Sequence, residues 1–140
     1  MRPPGKQRLA QRYELPTTPI QWKVARRGRS SRLVRVEAAL VELSVMGAAI
    51  VAPVKQVVPV GAQVEVFWEG ISGWVVVRRS DAYRGSDAFI LHGVEFCDGR
   101  SPLGPTMFER LVVEPAEAAR AAAAAAPAVW AQPGSGTVPS

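Results

Sequence analysis

The stretch Gln63-Val64-Glu65-Val66-Phe67-Trp68-Glu69-Gly70-Ile71-Ser72-Gly73-Trp74-Val75-Val76-Val77-Arg78-Arg79 decides the fold class. Val64, Val66 and Trp68 alternate with Gln63, Glu65 and Glu69, the period of two that marks a half-buried strand. The segment from Gly70 to Gly73 predicts a tight hairpin into a second strand over 74–79, with Arg78 and Arg79 at its end. Two strands joined this closely are antiparallel neighbours. They cannot be stable alone, so partners are expected on both sides.

Those partners can be read outward in both directions. Upstream, Ile20, Trp22 and Val24 alternate with Gln21 and Lys23, and Val34 and Val36 alternate with Arg35 and Glu37. A turn-rich basic segment, Arg26 to Arg32, separates these two strands. Gly47 interrupts the second, and a short apolar strand follows over 48–52. Downstream, the polar stretch 80–87 leads into a last strand over 89–96. Six short strands with turn residues between them predict an all-β, six-stranded antiparallel barrel, whose closure removes exposed edges. Beyond Pro102 and Pro105 the period changes. Phe108, Leu111 and Val112 fall at helical spacing, predicting a short C-terminal helix that caps the barrel and stops at Pro115. The division expected is therefore a basic flexible arm over 1–13, a barrel with its capping helix over 14–114, and an Ala/Pro/Gly-rich disordered tail over 115–140.

Composition narrows the class. The chain has 140 residues, enough for one domain with tails, and its 48% hydrophobic content supports a packed core. No apolar run reaches the ~18 residues of a membrane-spanning helix, and the N-terminus lacks the apolar stretch of a signal peptide. Cys97 stands alone, which excludes an internal disulfide and fits a reducing compartment. A cytoplasmic location without membrane insertion is the expectation. Charge is uneven: residues 1–35 carry ten Lys or Arg against Glu14, a local +9, while the rest carries −4. An anionic partner near the N-terminus follows from that asymmetry.

Catalysis has little to work with. One histidine, His92, and one cysteine, Cys97, do not make up a zinc site, and no hydrolase or phosphate-loop motif is present. His92 shares parity with Ile90, Val94 and Phe96 and is read as an inward, satisfied barrel histidine. Cys97 is read as a small buried hydrophobe, and Trp22 and Trp68 as core. The expectation is a binding module, neither an enzyme nor a metalloprotein.

The binding signal lies in two motifs. Arg8-Leu9-Ala10-Gln11-Arg12 is an RxxxR element ahead of the first strand, and Glu42-Leu43-Ser44-Val45-Met46-Gly47 carries SxxG at the end of the second. Together with the later His92-Gly93-Val94-Glu95-Phe96 strand, this order resembles the PilZ domain over roughly residues 6–114. The resemblance implies a bacterial second-messenger receptor with a split-barrel fold, binding cyclic di-GMP and needing no other cofactor. It carries Arg8, Arg12, Ser44 and Gly47 over as ligand-binding positions. Glu42 stands where the family usually has Asp or Asn. The chemistry suits the residue types: an arginine fork matches a phosphate or the O6/N7 edge of guanine, and its plane stacks on a base. A carboxylate at 42 can accept from the N1–H and N2–H edge of guanine. Arg78 and Arg79 are weaker candidates for the phosphates.

Parity poses one problem. Glu42 and Ser44 share the inward parity of Val34, Val36 and Leu40, so an outward site calls for a bulge near 38–41. On this reading the nucleotide orders the arm on the barrel and changes the surface offered to an as yet unidentified protein partner. The alternative is a degenerate PilZ domain that binds protein and no nucleotide, a reading that Glu42 favours. A nucleic-acid-binding barrel is disfavoured, because exposed strand faces lack clustered aromatics for base stacking.

Overall fold

The computed structural model describes residues 11–26 and 32–136, with Arg26 and residues 126–136 described by backbone alone. Among the described residues there are seven strands: β1 (Tyr13–Arg26), β2 (Val34–Leu43), β3 (Gly47–Pro53), β4 (Gln56–Val57), β5 (Gln63–Trp68), β6 (Ile71–Ala82) and β7 (Phe89–Phe96). The sheet runs β2-β3-β7-β6-β5-β1, and β1 pairs again with β2, so six strands close into an antiparallel barrel. The two-residue β4, absent from the sequence reading, only extends the far end of β1. Its Gln56 has a packing role. The carboxamide accepts a hydrogen bond from Trp22 Nε1 at 2.8 Å and donates to the Glu37 carbonyl at 3.0 Å. The large Trp22 ring can thus be fully buried without orphaning its N–H.

Alternation places the core. Ile20, Trp22 and Val24 of β1, Val64, Val66 and Trp68 of β5, and Val75 and Val77 of β6 all point inward and are buried together. The β5–β6 hairpin is tighter than expected. Trp68 pairs directly with Ile71, and the two turn residues, Glu69 and Gly70, both have positive φ (51° and 78°). That is the turn whose twist matches antiparallel strands. Ser72 and Gly73 belong to β6. That strand also runs past Arg79 to Ala82, because Ser80–Ala82 continue the ladder against His92–Ile90. Arg78 and Arg79 are therefore in mid-strand and not at a strand end.

After β7, helix α1 (Leu103–Phe108) buries Leu103 and Met107 against the barrel. A π-helical turn (Glu109–Val113) leads into α2 (Glu114–Gly136). This corrects two expectations, the stop at Pro115 and a disordered tail from 115. In a regular helix Pro115 would clash with the carbonyl four residues earlier. The Glu114 N–H instead bonds to the Glu109 carbonyl, and this wider turn lets the chain pass proline. The alanine tract then continues by intrinsic propensity. The described α2 side chains, through Ala125, are all exposed. The last residues, 137–140, lie outside the described residues. Among the described residues no helix is long and apolar enough to cross a membrane.

Candidate functional site

Two bulges build the site. Between β2 and β3 the register slips between Leu40 and Glu42: Leu40 faces Ile50, but Glu42 faces Ala49. Val41 is the extra residue, at the end of the segment where parity called for a bulge. Leu40 and Leu43 consequently both face the core, while Glu42 turns outward. Between β6 and β7 a second slip falls between Val77 and Arg79, leaving Arg78 extra. Val77 is buried, and Arg78 and Arg79 are both exposed on the outer face.

The outward side chains meet. Arg12, Glu42, Ser44, Gly47, Arg78 and Arg79 all line one cleft of about 290 Å³, floored by β3 and β7. Each arginine has a carboxylate neighbour: Arg12 Nη1 lies 3.9 Å from Glu42 Oε1, Arg78 Nε 2.8 Å from Glu95 Oε1, and Arg79 Nη1 3.0 Å from Asp81 Oδ2. These pairs are substantially exposed, and such pairs contribute at most about 1 kcal/mol. A phosphate offering bidentate geometry can displace them. Arg8 lies outside the described residues, as does most of the basic arm.

Ser44 and Gly47 shape the cleft wall more than they offer groups to a ligand. Ser44 Oγ accepts from the N–H groups of Met46 (3.2 Å) and Gly47 (3.1 Å), and the Ser44 N–H donates to the Gly47 carbonyl at 2.9 Å. The hydroxyl thus staples the four-residue turn between β2 and β3. Gly47 answers a different constraint. A Cβ there would lie 2.1 Å from the Val94 carbonyl oxygen, so β3 and β7 can approach only if residue 47 lacks a side chain.

Gly93 also lines the cleft, a place that the sequence did not single out. A Cβ on it would lie 2.8 Å from Arg79 Nε and 2.9 Å from Arg79 Cγ, because the Arg79 side chain lies flat across β7 there. Glu95 also lines the cleft. The signal for both was their odd parity in β7, opposite to His92 and Val94.

His92 is inward and only 3% exposed, edge-on to Trp22 at 5.3 Å between ring centroids. Its Nδ1 lies 3.3 Å from Ser80 Oγ, but Nε2 has no hydrogen-bond partner, so the ring is only half satisfied. Burial lowers its pKa to about 4, keeping it neutral near pH 7. Cys97 corrects an expectation. It is exposed, because its odd parity points it outward where β7 ends. Partial burial, then Asp98, raises its thiol pKa. Among the described residues no group of His, Cys, Asp or Glu could hold a metal ion.

Comparison with known proteins rests on the fold. No family model matches the chain, and no curated protein matches its sequence. Among solved structures, the PilZ domain with c-di-GMP of YcgR from Escherichia coli superposes with a TM-score of 0.51 and 16% identity. That match covers 84% of this chain and 97% of the YcgR domain. The K. pneumonia MrkH–c-di-GMP complex gives 0.46 and 16% identity, over 66% of this chain and 44% of that one. With its closed six-stranded barrel, its C-terminal helix and near-complete coverage of the YcgR domain, this chain has a PilZ-like fold.

Proposed function

We propose that the chain is a cyclic di-GMP receptor module that holds the nucleotide in the cleft between the Ser44–Gly47 turn and β7. The observation that carries this reading is the convergence of Arg12, Arg78, Arg79 and the Glu42 carboxylate on one concave surface. Cyclic di-GMP presents two phosphodiester charges and two guanines. Arginine forks suit the first and the O6/N7 edges of the second, and a carboxylate suits the guanine N1–H and N2–H edge. The YcgR domain with the same fold carries this ligand, which supports the assignment. A cleft of about 290 Å³ sits at the low end of small-ligand sites, so a dinucleotide fills it and leaves one face uncovered. Arg8 and Arg12 on the basic arm close over that face, and the arm, once ordered, changes the surface shown to a partner protein. The reading is of a ligand-responsive module, not an enzyme.

A second reading is favoured by a specific observation: two carboxylates, Glu42 and Glu95, line the same cleft and oppose phosphate entry. On this reading the domain binds protein without nucleotide.

Calorimetric titration with cyclic di-GMP, with GMP and the linear dinucleotide as controls, separates the two. Saturable micromolar binding selective for the cyclic ligand establishes the receptor. Absence of heat that becomes binding in Glu42→Asp establishes the degenerate domain.

A further inference from the structure

The turn that walls the cleft has a second side. Ser44, Met46 and Gly47 line the cleft, while Val45 lines a separate apolar groove of about 150 Å³ together with Trp74, Phe96, Leu103 and Pro105. Val45 is 61% exposed and Trp74 41%, an unusual degree of exposure for two large apolar side chains side by side. The charged group lining this groove is Asp98, and Glu65 stands directly across the ladder from Trp74.

Three observations point to what covers the groove. The first is position. At its N-terminal end β1 pairs Tyr13 with Leu43 and Glu14 with Glu42, so the chain enters β1 beside the turn whose Val45 lines the groove. Tyr13 also packs edge-on against Phe108 of α1 at 5.6 Å, and α1 begins with the Leu103 and Pro105 that line the groove. The segment ahead of Tyr13 is therefore tethered beside the turn and α1, both of which line the groove. The second is reach: the ten residues ahead of Gln11 span up to about 33 Å when extended. The third is chemistry. Residues 1–10 contain Arg2, Lys6 and Arg8 with no acid, and Pro3-Pro4 beside them. Extended proline segments dock in aromatic-lined grooves, and basic flanks complement an acidic rim.

We infer that, without nucleotide, residues 1–10 of the same chain dock in the Val45–Trp74 groove, with Pro3-Pro4 against Trp74 and the basic residues toward Asp98 and Glu65. Resting on the receptor reading above, the nucleotide then recruits Arg8 and Arg12 into the cleft, lifts the segment off and bares the groove as the surface a partner meets. Ligand and groove compete for one arm across a four-residue turn.

Cys97 is exposed beside Trp74 and offers a handle for the test. Full-length 15N-labelled protein would carry a nitroxide on Cys97, without nucleotide. The amide signals of Arg2, Gly5 and Lys6 should lose most of their intensity and recover it in Trp74→Ala, whose side chain is partly exposed. Signals that stay sharp in the wild type overturn the docking, as does broadening that persists in Trp74→Ala. A mixture of 15N-labelled protein without nitroxide and unlabelled protein with it tests the same-chain assignment. Broadening there overturns docking within one chain. Added cyclic di-GMP should restore the signals. If calorimetry shows no nucleotide binding while the broadening stands, the docking holds and the receptor reading alone fails.

Discussion

The Arg12 guanidinium lies 3.9 Å from the Glu42 carboxylate, bringing the last residue of the RxxxR element to the acidic residue that begins the SxxG segment. Thirty residues apart in sequence, they meet because β1 and β2 run antiparallel with Glu14 against Glu42. Both are partly exposed, so the pair adds little stability. Arg12→Ala should shift the melting temperature by no more than a few degrees. It should weaken cyclic di-GMP binding roughly ten- to a hundredfold, the cost of losing one charge-assisted hydrogen bond. Melting and calorimetry on the same sample check both. A large drop in melting temperature would make Arg12 a structural residue.

Ser44→Ala and Gly47→Ala should behave as stability mutants first. Without Oγ, the N–H groups of Met46 and Gly47 lose their acceptor at a cost of about 1–2 kcal/mol. Alanine at 47 meets the backbone of β7, which cannot swing aside, and should cost on the order of 3 kcal/mol. Urea denaturation would show midpoints falling in the order wild type, Ser44→Ala, Gly47→Ala. An unchanged midpoint for Gly47→Ala would contradict the close strand approach.

Gly93→Ala should leave the fold intact and weaken the ligand through Arg79. The atoms that a Cβ would meet belong to the flexible Arg79 side chain, which can move aside, but only by leaving its place across β7. Affinity should fall several-fold. In an Arg79→Ala background the same change should have no further effect. A double-mutant cycle by calorimetry reads this directly, and additive losses would show that Gly93 acts independently of Arg79.

Acid should destabilise the barrel through His92. Its folded pKa of about 4 lies below the usual 6.5, so between those values the unfolded chain binds the extra proton. Stability is retained above about pH 6.5 and lost as pH falls toward 4, by on the order of 3 kcal/mol from this one group. Chemical denaturation at pH 7, 6, 5 and 4 should show the slope, and His92→Gln should flatten it. Equal slopes in the two proteins would place the acid sensitivity elsewhere.

Strand identity was legible because a barrel wall repeats every two residues. Trp22, Val66 and Val77 are buried where alternation puts them. The bulge before Glu42 was legible too, as a conflict of parity: a charged residue on an inward position forces a slip. The helix through Pro115 was not. Proline and alanine preferences conflict locally, and only the wider π turn resolves them.

Local pattern alone therefore established the barrel, its inward face and the two motifs, since periodicity and turn chemistry act over a few residues. Which outward side chains share a cleft depended on contacts distant in sequence. Arg78 and Arg79 joined Arg12 and Glu42 only once β6 had paired with β7, β7 with β3, and β2 with β1 to close the ring. The roles of Ser44 and Gly47 likewise came from the closed form. One depends on where three backbone groups of a turn converge, and the other on how near β7, a strand distant in sequence, passes. No local preference encodes either distance.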